Sequence, residues 1–467
     1  MCAPTARLDA VERGRTPSAL MLSQNTYCFS NTLVSVLCIV PWYHMPEVKF
    51  EVDVDSPPDE QPTAKPFNRW HPDIPAVVEA EPGETIRLEA LDWTGGQITD
   101  NDDPNEVRDV DLTQVHYLAG PVRVEGAEPG DLLKVEFHDM GPLNDRSEFG
   151  FTGTFSQQNG GGFLTDHFPD AAKSIWEIDG YTVSSRHVPD VRYEGKIHPG
   201  LAGCAPSQEL LEEWNEREQE LIDKHAEDPS SIPNHPTGEA EPGVANPPTT
   251  EGAQMGEMDP DEAEEAAEEA ARTVPPREHG GNHDIKDLSI GSTVYFPVYV
   301  EGANFALGDF HASQGDGEIT FCGAIEMAGY ADVEFDLIKN GMEEHGVDHP
   351  IFEPGHRGPN FEDYITFCGY SVTEDGEQRY IDSHTAYRRA CLQAIDYLKK
   401  FGYTGQQALH ILGTVPAEGR QSGVVDVPNA CSTLAVPKGV FEFDISPGNL
   451  DNRADRGDLV VTDDPLG

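Results

Sequence analysis

The stretch of the chain most suggestive of catalysis combines two aspartates, a histidine and a glutamate, Gly308-Asp-Phe-His-Ala-Ser-Gln-Gly-Asp-Gly-Glu318. Asp309 and His311 are two residues apart, so on a strand their side chains leave the same face. The Gly-Asp-Gly turn sequence predicts a hairpin whose returning strand begins at Glu318. Such a hairpin brings Asp309, His311 and Glu318 close together. The pattern is consistent with a site for metal-assisted hydrolysis and equally with a hairpin of ordinary polar residues.

Three further histidine- or acid-bearing motifs could contribute ligands. In Gly280-Gly-Asn-His-Asp284, two glycines precede an extended segment on which Asn282 and Asp284 share one side. This segment either supplies another ligand or forms an Asx turn that caps a strand. His116 and His198 each lie beside turn residues, where a lone histidine is usually a hydrogen-bonded structural residue unless other ligands converge on it.

Other catalytic signatures are missing from the sequence. It contains no Gly-x-Ser-x-Gly elbow and no Ser-x-x-Lys motif, so a serine nucleophile has little support. It also contains no P-loop and no Gly-x-Gly-x-x-Gly entering a helix. Nucleotide binding is therefore unsupported, and the residues alone leave metal-assisted hydrolysis and an ordinary polar hairpin as the two interpretations of the histidine motif.

Strand signals predominate among the elements that must position these residues. Short alternating segments such as 84–90 and 132–137 are separated by Pro-Gly pairs, which favours a jelly roll or β-sandwich. The clearest helix is predicted over 382–400, with Ala386 and Ile395 among its buried positions and Gly402 as its stop signal. The predicted class is β-rich α+β.

Composition divides the chain into five parts. Residues 1–44 differ from the rest and are interpreted as an extension outside the fold, with translation starting at Met45. Residues 45–207 form a β-rich part, 208–276 an acidic insertion to which no chemistry is assigned, 277–447 an α+β part with the histidine motif, and 448–467 an acidic tail.

The charge balance is strongly acidic. The 467 residues contain 84 Asp and Glu against 31 Lys and Arg, a net charge of −53. Only 11 of the cations are lysines. This composition is typical of proteins that work in molar salt, where the Debye length shrinks to about 3 Å. The sequence predicts a cytoplasmic protein of an extreme halophile, and it argues against nucleic acid and membrane partners, whose phosphates would be repelled.

Several longer motifs resemble the acetamidase/formamidase family and are most similar to its formamidase branch. The resemblance spans about residues 45–445 and is carried by the segments 69–75, 91–97, 109–116, 120–131, 159–169, 198–206, 280–284 and 308–318. It implies hydrolysis of formamide to formate and ammonia, a jelly-roll-type fold, a divalent metal such as zinc, and a homo-oligomer, either a trimer or a hexamer. Residues 1–44 and 208–276 depart from the family pattern.

The resemblance and the residues together suggest roles for the site. The proposed metal ligands are carboxylates and imidazoles: Asp309, His311, Asp284 and His198. Glu318 would activate water and pass its proton to the departing ammonia, while Asp316 orients the turn or shares this task. Asn282 and His116 would contact the substrate. Because formamide has only three heavy atoms, selectivity is expected from a small pocket.

Two rival functions remain open at this point. The first is hydrolysis of acetamide or another short aliphatic amide. The second is a non-catalytic protein that binds small amides.

Overall fold

The computed structural model describes residues 45–143, 149–231, 243–355, 359 and 361–462. The predicted extension at 1–44 and the last five residues of the predicted tail at 448–467 lie outside this part of the chain. No helix in the described part is long and apolar enough to cross a membrane.

Within the described residues the chain forms 22 strands and six α-helices, which confirms the β-rich class. The strands are β1 Glu47–Phe50, β2 Arg69–Trp70, β3 Val78–Ala80, β4 Thr85–Ala90, β5 Leu118–Val124, β6 Leu132–Pro142, β7 Phe149–Thr154, β8 Ala172–Asp179, β9 Thr182–Ser185, β10 Arg192–Glu194, β11 His198–Gly203, β12 Ala271–Arg272, β13 Pro276–Arg277, β14 Gly280–Asn282, β15 Thr293–Pro297, β16 Phe305–His311, β17 Phe321–Met327, β18 Gly329–Ile338, β19 Ile351–Glu353, β20 Tyr364–Tyr370, β21 Glu418–Gly423 and β22 Cys431–Pro437. The helices are α1 Asn105–Arg108, α2 Gln208–Glu227, α3 Pro260–Ala267, α4 Gly341–His345, α5 Ser383–Leu398 and α6 Gly405–Thr414.

Two large sheets enclose the main core. One has six strands in the order β1-β4-β18-β6-β15-β19, and the other has eleven strands built around β7-β17-β16-β11-β14. Apolar side chains of both sheets share one buried cluster, in which the ring of Phe305 on β16 lies 5.4 Å from that of Phe335 on β18. Burial of this apolar surface is the main force that holds the sheets together.

The central strand β16 is paired along both edges. β11 pairs with one edge, while β5 pairs with residues 305–308 and β17 with residues 310–311. Asp309, at φ 57°, lies where the strand changes partner. All residues of β16 and β11 are buried, so a polar side chain on either strand must find a partner inside the protein.

The helix predicted over 382–400 is confirmed. Helix α5 begins after Asp382, whose side chain accepts a hydrogen bond from Thr385 N, and it buries the predicted apolar face. Helix α6 begins at a capping box formed by Thr404 and Gln407. Beside α5 lies a three-stranded sheet in the order β20-β22-β21.

The acidic segment 208–276 packs against the rest of the protein through a small apolar cluster to which both contribute side chains. Helix α2 buries Leu211 and Trp214, and these side chains join a cluster that includes Phe67 and Trp70. Near the end of the segment, β12 pairs with β2 in a separate two-stranded sheet, and β13 then pairs with β14 at the edge of the eleven-stranded sheet. The end of the segment thus reaches the large sheet, where its residues line the cavity described next.

Candidate active site

Five acid and imidazole side chains converge at the end of β16. His311 Nε2 lies 3.3 Å from Asp309 Oδ1 and 3.0 Å from Glu326 Oε2. Ligand atoms of Asp284, Asp309 and His311 all lie within 4.8 Å of one another, and so do those of His311, Glu318 and Glu326. The structure thus brings Asp309, His311 and Glu318 together, as their spacing predicts, and adds Asp284 and Glu326. These five residues are called the acid–imidazole cluster below.

Local backbone geometry explains how the cluster forms. β16 and β17 pair with His311 directly opposite Glu326, so the returning strand begins at Phe321 and not at Glu318 as predicted. Glu318 instead lies in the connecting loop at φ 41°, and Asp284 has φ 49°. Positive φ is uncommon outside glycine and concentrates at functional sites. In this structure it directs both carboxyl groups toward His311.

Gly200 on β11 leaves the space into which the cluster points. A Cβ atom at this position would lie 2.6 Å from Asp309 Oδ2, 2.6 Å from His311 Cε1 and 2.8 Å from Asp284 Oδ1. Any side chain would therefore collide with three of the five cluster residues. The absence of a side chain at Gly200 is a condition for their convergence.

Gln314 and His198 hold His311 from behind. His198 Nδ1 donates to Lys196 O at 2.7 Å, and burial lowers the pKa of His198 to about 3, so the ring is neutral. Its Nε2 lies 3.2 Å from His311 Nδ1, which is also 2.9 Å from Gln314 Oε1. Gln314 Nε2 donates to Asp284 O at 2.6 Å. His198 thus contacts the ring of His311 and does not belong to either of the two groups of candidate metal ligands.

Burial and the mutual charges of the cluster shift the pKa values of its members. Burial alone would lower the pKa of His311, but the carboxylates of Glu326 and Asp309 outweigh it and hold that pKa well above its ordinary value. Burial raises the pKa of Glu318 and of Glu326 to about 7. Burial, and then the charge of Glu318, raise the pKa of Asp284 well above its usual range. Near neutral pH the cluster can therefore both accept and donate protons.

A cavity of about 390 Å³ opens above the cluster. Its lining combines acids, aromatic rings and two basic side chains: Trp93, Leu112, Val115, His116, Phe155, Gly160, Gly243, Asn246, Arg272, Val274, Asn282, Asp309, Glu318, Phe321 and Glu326. Formamide would fill a small fraction of this volume, which lies in the range of sites for larger organic ligands. The cavity walls formed by the described residues therefore do not exclude larger amides by size, contrary to the expected small pocket.

His116 and Asn282 both reach the cavity. His116 N donates to Thr273 Oγ1 at 2.6 Å, and its ring lies 5.5 Å from that of Trp93. Asn282 Nδ2 donates to Val274 O at 3.1 Å, whereas its Oδ1 is buried without a hydrogen-bond partner. A buried acceptor without a partner is costly, so a donor from a ligand would be favoured at this atom.

Asp316 does not line the cavity and lies outside the acid–imidazole cluster. Its carboxylate forms an ion pair with Lys286 and accepts a hydrogen bond from Gly419 N at 2.8 Å. This ion pair connects the loop that carries Glu318 to the segment that carries Asp284.

Glu326, Gln314 and Arg272 are site residues that the motif search did not single out. Glu326 is the only acid in the apolar strand segment 321–327. A single acid among apolar residues was the feature that could have identified it as a site residue. Gln314 is in the histidine motif but is neither acidic nor basic. Arg272 is one of three cations in the segment 208–276, which has 20 acids and resembles solvated surface.

The donor set fits a divalent metal ion. Asp284 Oδ1 is buried without a hydrogen-bond partner, and the buried His311 Nε2 and Glu326 Oε2 lie 3.0 Å apart in the same acid–imidazole cluster. Carboxylate oxygen and imidazole nitrogen are ligands that zinc and related divalent ions accept. The space beside Gly200 adds room at the point where these atoms converge.

Known proteins resemble the chain over most of its length. The Acetamidase/Formamidase family matches residues 51–443. The chain belongs to the acetamidase/formamidase family. A formamidase of Methylophilus methylotrophus is 57% identical over 397 residues, covering 85% of this chain and 94% of that one. An acetamidase of Mycolicibacterium smegmatis is 52% identical, covering 80% and 91%. The family resemblance predicted from the motifs is confirmed.

A solved relative in this family shares the fold. The structure of a gamma lactamase from Delftia acidovorans superposes with a TM-score of 0.84 at 54% identity, covering 90% of this chain and all of that one. The family therefore contains proteins named for three different amide classes, although their sequences differ from this one by similar amounts.

Proposed function

We propose that this amidohydrolase of the acetamidase/formamidase family is a formamidase, which hydrolyses formamide to formate and ammonia. The observation that carries this proposal is the 57% identity to a formamidase over most of both chains, together with the acid–imidazole cluster at the floor of a cavity. Release of ammonia from formamide by the purified protein in high salt is the decisive assay. A protein that releases none while hydrolysing other amides would contradict the assignment.

Glu318 is our proposed general base. Its carboxyl lines the cavity, and a pKa of about 7 leaves it partly ionised at neutral pH. It takes a proton from water as the water oxygen bonds to the amide carbon. It then gives that proton to the nitrogen as the C–N bond breaks, which leaves a carboxylate and ammonium after proton equilibration.

A divalent metal, which we propose to be zinc, would be held by Asp284, Asp309, His311 and Glu326. When bound, such an ion polarises the amide carbonyl group and makes water more acidic. The protein contributes the positions of the ligands. His198 and Gln314 fix the ring of His311, and Gln314 also holds the backbone of Asp284.

Substrate contacts are proposed for Asn282 and His116. The unpartnered Asn282 Oδ1 can accept a hydrogen bond from the amide NH2 group, and the His116 ring lies on the cavity wall beside Trp93. For Asp316 the ion pair with Lys286 supports orientation of the turn, which is one of the two roles predicted for it.

A larger amide is the second candidate substrate. The cavity of about 390 Å³ and the 54% identity to a gamma lactamase both favour it. Formamide, acetamide, butyramide and a five-membered lactam should be ranked by kcat/KM. If another amide has a higher kcat/KM than formamide, that amide is the preferred substrate.

The solution state is also a proposal. We propose a cytoplasmic homo-oligomer, a trimer or hexamer, that requires high salt because its net charge of −53 is repulsive in dilute buffer. Light scattering and activity measured from 0.1 to 4 M KCl test both points. Full activity and an unchanged assembly at 0.1 M would contradict the salt requirement.

A further inference from the structure

One wall of the catalytic cavity carries a buried guanidinium group that has no carboxylate partner. Arg272 on β12 is only 9% exposed and lines the same cavity as Asp309, Glu318 and Glu326. Its Nη2 donates to Leu112 O, whereas its Nε is buried without a hydrogen-bond partner. Among the described residues no carboxylate lies within ion-pair distance of this side chain.

The other buried arginines in the described part of the chain, Arg69 and Arg456, find their partners away from the cavity. Arg456 Nη2 lies 3.0 Å from Asp190 Oδ2, and Arg69 donates to three backbone carbonyl oxygens. The half-buried Arg277 and Arg87 are paired with Glu218 and Asp332. Buried charges are normally paired in this way, because an unpaired charge loses its hydration without compensation. An anion supplied from the cavity would complete the Arg272 site.

The chain positions Arg272 next to the reacting centre. The neighbouring residue Thr273 accepts a hydrogen bond from His116 N at 2.6 Å, and His116 experiences the charges of both Asp309 and Arg272. One cavity therefore has a floor of acids and a wall with a cation. The products of amide hydrolysis also differ in charge, since one is a carboxylate and the other is ammonium.

We propose that Arg272 is an anion-binding residue that takes a carboxylate in the catalytic cavity. The planar guanidinium matches the two oxygens of a carboxylate. The ligand class comprises the product carboxylate and amide substrates that carry a second, anionic carboxylate group. This proposal rests on the proposed amidase function, and the size of the cavity leaves room for such substrates beyond the reacting amide.

Product inhibition tests the proposal in the intact protein. Sodium formate is varied at constant ionic strength during formamide hydrolysis by the wild type, Arg272→Gln and Arg272→Lys. Because a hydrogen-bonded charge pair is lost, we expect the ratio of the formate Ki to the formamide KM to rise at least tenfold in Arg272→Gln. Arg272→Lys should recover part of the difference.

A matched substrate pair tests the same point without inhibition. Malonamate and butyramide have similar size, but only malonamate carries a carboxylate. The ratio of kcat/KM for malonamate to that for butyramide should fall at least tenfold in Arg272→Gln. Unchanged ratios in both experiments would overturn the proposal.

Arg69→Gln is the control for loss of any buried arginine. Arg69 lies directly opposite Arg272 in the β2–β12 pair, is buried, and donates to the carbonyl oxygens of Thr113, Thr249 and Glu251. It does not line the cavity. If Arg69→Gln raises the formate ratio as much as Arg272→Gln does, the effect is structural and the proposal is wrong.

A binding measurement separates this proposal from the proposed function. Formate should quench the fluorescence of Trp93, which lines the cavity, with a Trp93→Phe variant as the reference. Saturable quenching that weakens at least tenfold in Arg272→Gln supports the anion site even if formamide is not the substrate. Quenching that is equal in the wild type and Arg272→Gln rejects the site even if formamide is hydrolysed.

Discussion

Replacing Gly200 by alanine would place a methyl group where the acid–imidazole cluster converges. That methyl would lie 2.6 Å from Asp309 Oδ2 and from His311 Cε1, and 2.8 Å from Asp284 Oδ1. Since favourable contacts between heavy atoms begin near 3.5 Å, these side chains would have to retreat by roughly 1 Å. Asp309 and His311 lie on β16 and Asp284 lies in the loop after β14, so no single movement relieves all the contacts.

The expected loss can be estimated from this displacement. Every residue of β11 and β16 is buried, which leaves little space into which the side chains could retreat. A displacement of about 1 Å in a catalytic arrangement costs on the order of 100-fold in rate. Overpacking a buried site of this kind also lowers the free energy of unfolding by about 1 to 3 kcal/mol.

The assay compares Gly200→Ala with a glycine-to-alanine control. Ammonia release from formamide gives kcat and KM, elemental analysis gives the metal content, and urea titration gives the free energy of unfolding. Gly423→Ala on β21 is the control, because the nearest atom to a Cβ there is Asp426 Oδ2 at 4.0 Å. We expect the control to match the wild type in all three measurements.

A clear result would refute this reasoning. If Gly200→Ala keeps a kcat within twofold of the wild type and its full metal content, the three side chains need not converge beside Gly200. The acid–imidazole cluster would then not be the reacting centre. If Gly200→Ala is inactive but binds metal normally, the substitution has displaced the acid–base groups without disrupting metal binding.

Three further variants test individual carboxyl groups. Glu318→Gln should lower kcat by about 10² to 10⁴ without changing metal content, because it removes the general base; near-normal turnover would exclude that role. Asp316→Asn should lower kcat far less, about tenfold, because it only breaks the ion pair with Lys286; a loss as large as that of Glu318→Gln would make Asp316 the proton shuttle. The pKa of Glu326 is about 7 in the folded metal-free protein and near 4.5 in the unfolded chain. As the pH rises between these values, the unfolded chain loses the proton first, so the free energy of unfolding falls. Glu326→Gln should remove at most about 3 kcal/mol of this pH dependence in urea titrations from pH 5 to 8, and parallel curves would contradict it.

The sequence predicted the local part of the site well. The two-residue spacing of Asp309 and His311 on a strand placed both side chains on one face, and the glycine-rich turn indicated that Glu318 would return toward them. These inferences depend only on strand geometry and on a connection of a few residues. The same holds for helix α5, whose apolar face is a local periodic signal and whose end precedes the stop signal at Gly402.

Long-range contacts explain what the sequence did not predict. The loop between β16 and β17 is shaped by α6, since Gly315 N donates to Gly413 O at 2.7 Å. The returning strand begins only at Phe321, with Glu326 opposite His311, and the spacing within the motif gave no sign of this contact between distant parts of the chain. Arg272 was missed for a similar reason. The segment 208–276 has few apolar residues, so its sequence gave no sign that the end of the segment reaches the large sheet.

The origin of the cavity lining has a consequence for how this enzyme could change. The floor belongs to strands and loops of the large sheet, whereas Asn246 and Arg272 on the wall come from the segment 208–276, whose apolar side chains pack in one cluster with Leu201 and Ala306 of that sheet. The proposed reacting groups and the proposed ligand contacts thus come from different parts of the chain that share a packing surface. Exchanging this segment between relatives, together with the side chains it packs against, would test whether substrate preference follows the segment.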